Sequence, residues 1–258
     1  MKILVLGSTG FIGSNITSYY LDKHTILSPK RIDILDSNFI LNFIKNETPD
    51  VVINCISYGG KENVNLTKTE DITNNLILFS NIVNASKYFK KYINLGSGIE
   101  LNSAQSVWEN IPSSSSYAIS KNIISRFCDN LDKFYTLRLY GCFGINEPEF
   151  RIFSKYKKSI GNELLEISDK YFDNFYIKDF LKVLDYYIYN NNLIKDVHCV
   201  YNKKLKLSEQ LSLLSKVLNC QDNYLIKEIG NNYIGNSNTL DKINLKLIGL
   251  EEGLWSYK

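Results

Sequence analysis

Three glycines spaced by threes, in Gly7-Ser8-Thr9-Gly10-Phe11-Ile12-Gly13, follow directly on the apolar run Ile3-Leu4-Val5-Leu6. A short continuous apolar run of this kind reads as a strand buried on both faces, as in a parallel sheet covered by helices. Residues 15–21 then carry a helical pattern. A glycine turn between such a strand and such a helix admits few structures. Gly7 permits a tight turn, Gly10 lets a phosphate approach the backbone, and Gly13 lets the helix pack closely on the strand. The helix N-terminus offers free N–H groups and the positive end of its dipole to that phosphate. The spacing differs from G-x-G-x-x-G, but its place between strand and helix points to a dinucleotide cradle. A turn whose glycines serve packing alone is the other reading.

The alternation continues along the chain. Residues 24–27, 51–56, 92–95 and 136–140 read as strands, and 37–46, 71–89 and 116–133 as helices. Strand and helix in strict alternation predict an α/β fold, a doubly wound parallel sheet of the Rossmann type. Beyond about residue 146 the pattern changes: 155–160 and 207–218 read as helices, and 175–177 and 197–201 as short strands able to rejoin the sheet.

Across 258 residues, 30 basic and 27 acidic side chains leave a formal charge of +3, too balanced for a nucleic-acid or membrane-surface protein. The apolar run after Lys2 stops at Gly7 and no run of about 20 apolar residues occurs, so neither a leader nor a membrane span is expected. The five cysteines are odd in number and form no C-x-x-C pair, which predicts free thiols in a reducing, cytoplasmic setting. With only His24 and His198, far apart, no metal site is expected.

The second strand ends in Leu27-Ser28-Pro29-Lys30-Arg31, with no carboxylate before Asp33. An acid here would bind the ribose 2′-hydroxyl of NAD. A hydroxyl and two cations instead suit a 2′-phosphate, so NADP (as NADPH) is favoured, with NAD as the alternative. Lys30 and Arg31 as a solvated loop remains the competing reading.

Tyr117-Ala118-Ile119-Ser120-Lys121 sets a phenol and an ammonium at i and i+4 on one helix face. A free phenol titrates near 10, and a nearby ammonium favours its ionised form. Such a pair can pass a proton to a carbonyl oxygen as a hydride arrives. Ser97, in Leu95-Gly96-Ser97-Gly98, falls at the carboxyl end of an expected strand, where open parallel sheets bind ligands. Its hydroxyl is a candidate to hold that carbonyl; a turn serine between glycines is the plainer reading.

Together these residues resemble the extended short-chain dehydrogenase/reductases of the NAD-dependent epimerase/dehydratase family, over residues 2–200. Pro49-Asp50-Val51-Val52-Ile53-Asn54-Cys55 is similar to the family's P-D-x-V-x-x-A-A strand, Leu137-Arg138-Leu139-Tyr140-Gly141-Cys142-Phe143-Gly144 to L-R-x-x-N-x-Y-G, Phe175-Tyr176-Ile177-Lys178-Asp179 to I-Y-V-x-D, and Tyr201-Asn202 to the closing Y-N strand. Arg31-Ile32-Asp33-Ile34-Leu35-Asp36 and Tyr58-Gly59-Gly60 resemble stretches of the nucleotide-sugar 4-reductases typified by GDP-fucose synthase and dTDP-4-dehydrorhamnose reductase.

The resemblance implies a dinucleotide-binding domain over residues 1–146, with core segments returning at about 172–202. A small interleaved substrate-binding domain would comprise 147–171 and 203–258. It implies NADPH-dependent reduction of a 4-keto nucleotide-diphosphate sugar, a deoxysugar or heptose for surface polysaccharide, with Ser97, Tyr117 and Lys121 catalytic. It extends the cofactor contacts beyond Gly7, Gly10, Gly13, Ser28, Lys30 and Arg31 to Thr9, Phe11, Ile12, Asp33, Ile34, Cys55, Ile56, Ser57, Asn75, Leu95, Tyr117, Lys121, Cys142 and Phe143. Substrate contacts would be Tyr58, Gly59, Ser97, Gly98, Glu100, Tyr117 and Arg151. A homodimer through helices 71–89 and 116–133 is expected on the same ground.

Departures from the family pattern shape the expectation. Ile99 stands where GDP-fucose synthase has its epimerising Cys, which argues against 3,5-epimerase activity by that route. Phe172 stands where an Arg often grips the diphosphate, with Arg151 or Lys155 as candidate substitutes, and Gly141 replaces a common Asn. Gly98-Ile99 after Ser97, in place of Asp-Glu, counts against a dehydratase. The alternatives are an NAD-dependent 4-epimerase or dehydratase, and a non-catalytic cofactor-sensing protein, against which the Tyr117/Lys121 pair argues.

Overall fold

The computed structural model describes residues 1–29, 34–59, 68–101, 107–108 and 115–258. Lys30, Arg31 and Asp33, expected at the cofactor, and Gly60 of the Tyr58-Gly59-Gly60 loop lie outside the described residues. The chain divides into two compact units, Met1–Arg138 with Tyr186–Val197, and the smaller Leu139–Asp185 with His198–Lys258.

In chain order the elements begin β1 (Lys2–Leu6), α1 (Phe11–Tyr20), β2 (Thr25–Leu27), α2 (Ser37–Glu47), β3 (Val51–Asn54), α3 (Thr69–Asn84), β4 (Lys91–Ser97), α4 (Ser116–Asn130) and β5 (Phe134–Leu139). They continue with β6 (Gly141–Phe143), α5 (Ile152–Ser159), β7 (Leu165–Asp169), β8 (Asn174–Tyr176), α6 (Ile177–Tyr189), β9 (Asp196–Cys199), α7 (Leu207–Leu218), β10 (Tyr224–Ile229), α8 (Asn238–Asp241) and α9 (Leu250–Gly253). Among the described residues, no helix is long and apolar enough to cross a membrane.

The main sheet has the order β2-β1-β3-β4-β5-β9. β1 runs parallel to β2 and β3, and β3 to β4, with Leu4 opposite Leu27 and Val52, and Val52 opposite Tyr92. The order reverses beside β1, the switch point at which such sheets open a ligand crevice. Ile3, Leu4, Val5 and Leu6 are all fully buried, as an apolar run covered on both faces requires. Ile40 and Ile44 of α2, with Leu78, Phe79 and Ile82 of α3, pack on Leu4, Val52 and Tyr92. Each fully buried side chain of this kind contributes about 1.5–3 kcal/mol relative to exposure. α2 begins where it does because the Asp36 carboxylate accepts from the N–H groups of Asn38 and Phe39, at 2.8 and 3.1 Å.

Three expectations are corrected. The helix expected over 71–89 is two pieces: α3 ends at Asn84, and Ser86–Tyr88 form a separate 3-10 turn. The break carries Phe89 into the core, its ring 5.9 Å from that of Phe134, before the chain enters β4. The strand expected near 175–177 does not rejoin the main sheet, because β8 pairs in parallel with β6, Gly141 opposite Asn174. The segment that returns to the first unit is therefore 186–197, not 172–202. The end of α6, unforeseen in the sequence, is held there by Lys91. This buried ammonium donates to the carbonyls of Tyr187, Ile188 and Asn190 at the helix C-terminus, and burial pulls its pKa down.

In the second unit β7 and β10 form a two-stranded parallel sheet. Asp179 accepts from the Tyr201 hydroxyl at 2.7 Å and from the N–H groups of Ile248 and Gly249 at 2.7 and 2.9 Å. Gly141 has a steric reason: a Cβ there would lie 2.2 Å from Asn174 Oδ1, so the side chain of Asn174 fills the space an Asn at 141 would need.

At the turn into β3, the Asp50 carboxylate accepts from Lys90 Nζ at 2.7 Å and from the Lys2 N–H at 2.9 Å, which holds its pKa below the ordinary value. A carboxyl with a lowered folded-state pKa stabilises the fold above its unfolded value of about 3.9, and that contribution is lost as pH falls through the folded value. Asp50→Asn should thus be less stable than the wild type near neutrality. The gap between their urea midpoints should close as pH falls toward about 2.

Candidate active site

The cradle is built by β1, α1 and the loop leaving β3. Gly7 sits at φ +85°, and a Cβ there would lie 2.8 Å from Ile56 Cγ1. At Gly13 a Cβ would lie 2.1 Å from the Gly7 carbonyl oxygen, so α1 approaches the turn more closely than any other residue permits. Gly10 differs from both. Its φ of −77° suits any residue, and among the described residues a Cβ there would meet only the Gly7 oxygen, at 3.6 Å. Packing among the described residues does not demand glycine at 10, and they leave space at the first turn of α1. That clearance, with no side-chain cap at Gly10 and no acidic side chain in the first turn, fits a pyrophosphate. Thr9 is exposed, and Phe11 and Ile12 are half-buried. The Ser8 hydroxyl is hydrogen-bonded to that of Ser28, tying the cradle to the end of β2.

The loop after β3 is fixed from below. Asn54 Oδ1 accepts from the Ile56 N–H at 3.1 Å, and the Cys55 N–H donates to the Leu6 carbonyl at 2.9 Å. Burial pushes the Cys55 thiol up to about 12, against the pull of the Lys121 ammonium. Ser57, Tyr58 and Gly59 are half-buried.

Four of the residues expected at the cofactor have their side chains engaged within the protein. Asn75 is buried, and its amide is spent within the protein: Oδ1 accepts from the Tyr58 N–H at 2.9 Å, and Nδ2 donates to the Tyr58 carbonyl at 3.1 Å and Ser120 Oγ at 2.9 Å. These bonds position the loop. The Ile34 side chain is fully buried in the apolar core. Cys142 and Phe143 are core residues of the second unit, the Phe143 ring 5.1 Å from that of Phe153 and 5.3 Å from that of Tyr176.

α4 carries the proposed acid. Its buried face mixes the small side chains Ser116, Ala118, Ser120 and Ser125 with Ile124 and Cys128, and the Ser115 hydroxyl caps its start through the Ala118 N–H at 3.2 Å. Lys121, 5% exposed, lies one turn beyond half-buried Tyr117, its Nζ 5.9 Å from the phenol ring centroid. That ammonium donates to the Leu95 carbonyl at 2.6 Å, which is its one hydrogen bond among the described residues. An ammonium has three donors, and a buried donor without an acceptor is costly, so this site calls for a further oxygen ligand.

Ser97 closes β4. Its N–H donates to Glu100 Oε1 at 2.6 Å, and its carbonyl accepts from Arg138 Nη1 at 3.2 Å. Glu100 is fully buried and pairs with Arg138 at 2.7 Å, so the expectation that it meets substrate is corrected. Arg138, also fully buried, pairs through Nη2 with Asp196 as well. Burial pulls the Arg138 pKa down, but the charges of Glu100 and Asp196 outweigh it and hold the guanidinium charged. Asn122 Nδ2, on α4, donates to the Glu100 carbonyl at 3.0 Å. Local sequence pattern assigns Arg138, Asp196 and Asn122 no role. The available signal was one charge in the otherwise apolar strand Thr136-Leu137-Arg138-Leu139, which must find partners.

Gly98 is buried in the turn after Ser97. In the second unit, Arg151 is half-buried at the start of α5, and the ring of Phe172 lies 5.2 Å from that of Tyr233. Among the described residues, no group of His, Cys, Asp and Glu side chains could hold a metal ion.

Residues 3–193 match the family described as the NAD dependent epimerase/dehydratase family. GDP-L-colitose synthase from Yersinia pseudotuberculosis is 28% identical over 103 residues, 38% of this chain and 33% of that protein, so the match spans a third of the relative's length. Among solved structures, UDP-glucose 4-epimerase from Thermotoga maritima, with UDP-glucose, superposes with a TM-score of 0.83 at 16% identity, over 99% of this chain and 97% of that one. A GDP-D-glycero-L-gluco-heptose synthase from Campylobacter jejuni, in the presence of NADPH, gives a TM-score of 0.83 at 15% identity, over 99% and 97%.

The glycines separate packing from ligand contact. Gly13→Ala should lose about 1–3 kcal/mol of stability, the usual cost of overpacking. Gly10→Ala should keep the wild-type melting temperature and still weaken dinucleotide binding at least tenfold, read by fluorescence titration of the reduced cofactor.

Proposed function

The chain belongs to the NAD dependent epimerase/dehydratase family, and on that premise we propose that it reduces the 4-keto group of a nucleotide-diphosphate sugar with NADPH. The observation that carries this reading is the buried Lys121 ammonium, anchored on the Leu95 carbonyl and set one helical turn from Tyr117. The cleared space at Gly10 supports a dinucleotide. The absence of a carboxylate between Leu27 and Arg31 supports a 2′-phosphate, hence NADPH over NADH. The names of two similar proteins, both synthases of GDP-linked sugars, agree with a sugar-nucleotide substrate.

The turn shaped by Gly7 and Gly13 would hold the pyrophosphate on the first turn of α1, with Gly10 as its point of approach, and Lys121 would hold a ribose hydroxyl with the N–H donors not used at Leu95. When bound, the reduced nicotinamide supplies a hydride to the sugar carbonyl carbon. The Ser97 hydroxyl holds the carbonyl oxygen, and Tyr117 gives that oxygen its phenolic proton as the carbon is reduced. The phenolate left behind would be stabilised by the Lys121 ammonium, whose Nζ lies 5.9 Å from the ring centroid, and would regain a proton from solvent. The sugar would thus gain a hydride and a proton, and the Tyr117 phenol would be restored.

A panel of nucleotide-linked 4-keto sugars, assayed by loss of NADPH with identification of the product, tests this. At least one should be reduced to the alcohol. Tyr117→Phe should slow that turnover by about 10²–10⁴-fold, the usual share of a general acid, while NADPH binds within twofold of wild type. Protein that purifies with tightly held NAD and interconverts 4-epimers without consuming NADPH would replace the reductase reading with an epimerase.

A further inference from the structure

We infer that Glu100 and Arg138 are positioning residues for Ser97, gripping its backbone from both sides and setting where its hydroxyl points. This rests on the reading of Ser97 as the residue that holds the substrate carbonyl. The Ser97 N–H is bound by Glu100 Oε1 at 2.6 Å and its carbonyl by Arg138 Nη1 at 3.2 Å. The two gripping groups are joined to each other at 2.7 Å, and neither side chain is exposed. One peptide unit on each side of Ser97 is thereby hydrogen-bonded to the same buried ion pair.

The pair is anchored on three elements. Arg138 belongs to β5 and is held by Asp196 of β9. Asn122 of α4 binds the Glu100 carbonyl at 3.0 Å, one residue after Lys121 on the helix that carries Tyr117. The turn holding Ser97 is thus tied directly to the helix holding the proton donor. Little slack remains beneath it: a Cβ at Gly96 would meet Thr136 Cγ2 at 2.7 Å and Glu100 Oε1 at 3.0 Å.

Stability alone is a poor reason for this arrangement. A buried ion pair can often be replaced by well-packed apolar side chains without loss. Apolar side chains could not bind a buried N–H and a buried carbonyl of one residue at once. Charge-assisted hydrogen bonds are also short and directional, which suits a group that must be held to a fraction of an ångström.

Two measurements decide the matter. The first is backbone amide exchange, resolved over residues 95–101, in wild type, Glu100→Gln and Glu100→Leu. Glu100→Leu should speed exchange at Ser97 at least tenfold while the rest of β4 and α4 stay protected. Glu100→Gln keeps an acceptor for the Ser97 N–H and should fall between. Unchanged Ser97 exchange would overturn the inference, and so would loss of protection throughout β4. The second is a kinetic cycle with a GDP-linked 4-keto-6-deoxy sugar and NADPH. Glu100→Leu should lower kcat at least tenfold with NADPH binding within twofold, and Glu100→Gln should recover threefold or more of that loss. Added to Ser97→Ala, Glu100→Leu should have no further effect. A further loss of the same size would mean that Glu100 acts independently of Ser97. Should Glu100→Leu not fold, Asp196→Asn, at the half-exposed outer end of the ion-pair chain, is read in the same way. A fully active Ser97→Ala enzyme would remove the functional reading of Ser97 and leave the grip standing. A Ser97 amide indifferent to Glu100→Leu would remove the grip and leave the functional reading.

Discussion

Parallel pairing forces the carboxyl ends of β1, β3 and β4 to one edge of the sheet. Each strand must then be followed by a crossover, and the chain's most specialised loops leave from that common edge. The glycine turn after β1, the Asn54–Gly59 loop after β3 and the Ser97 turn after β4 are all products of this one constraint. The close packing of Gly13 on the Gly7 carbonyl brings the start of α1 to the same edge.

At that edge, polar side chains organise backbone. Asn54 holds the Ile56 N–H, Asn75 holds both backbone groups of Tyr58, and Glu100 with Arg138 holds both of Ser97. Loops leaving a sheet carry N–H and carbonyl groups with no ladder partner, and buried ones must be satisfied elsewhere. Supplying the partners from neighbouring strands and helices satisfies them and removes the loops' freedom together. Lys121 joins the set from α4 through the Leu95 carbonyl, the backbone group two residues before Ser97.

Several parts of this were legible in the residue order. The Ile3–Leu6 run, the glycines spaced by threes, and Tyr117 one turn before Lys121 are local patterns whose meaning depends on neighbours in sequence. The fold class followed from alternation alone. Less legible was the destiny of isolated polar residues. Glu100 reads as a solvated or substrate-facing acid, and Asn75 as a cofactor contact, because burial and partners are not written at these positions. Arg138 reads as one charge in a strand, and its partners lie 38 residues before it and 58 after it in the chain.

What the sequence determined by itself is the periodic part: which segments are strands and helices in the first half, where the chain must turn sharply, and which residues could make a cradle and an acid. The reason is that apolar spacing and glycine conformation act over a few residues. Tertiary structure decided the rest. Pairing settled that β9 and not β8 joins the main sheet, since a short apolar strand carries no record of its neighbour. Burial turned Ile34, Cys142 and Phe143 into core residues, and it forced Glu100, Arg138 and Asp196 together, because a charge taken out of water must find its opposite wherever the fold brings one.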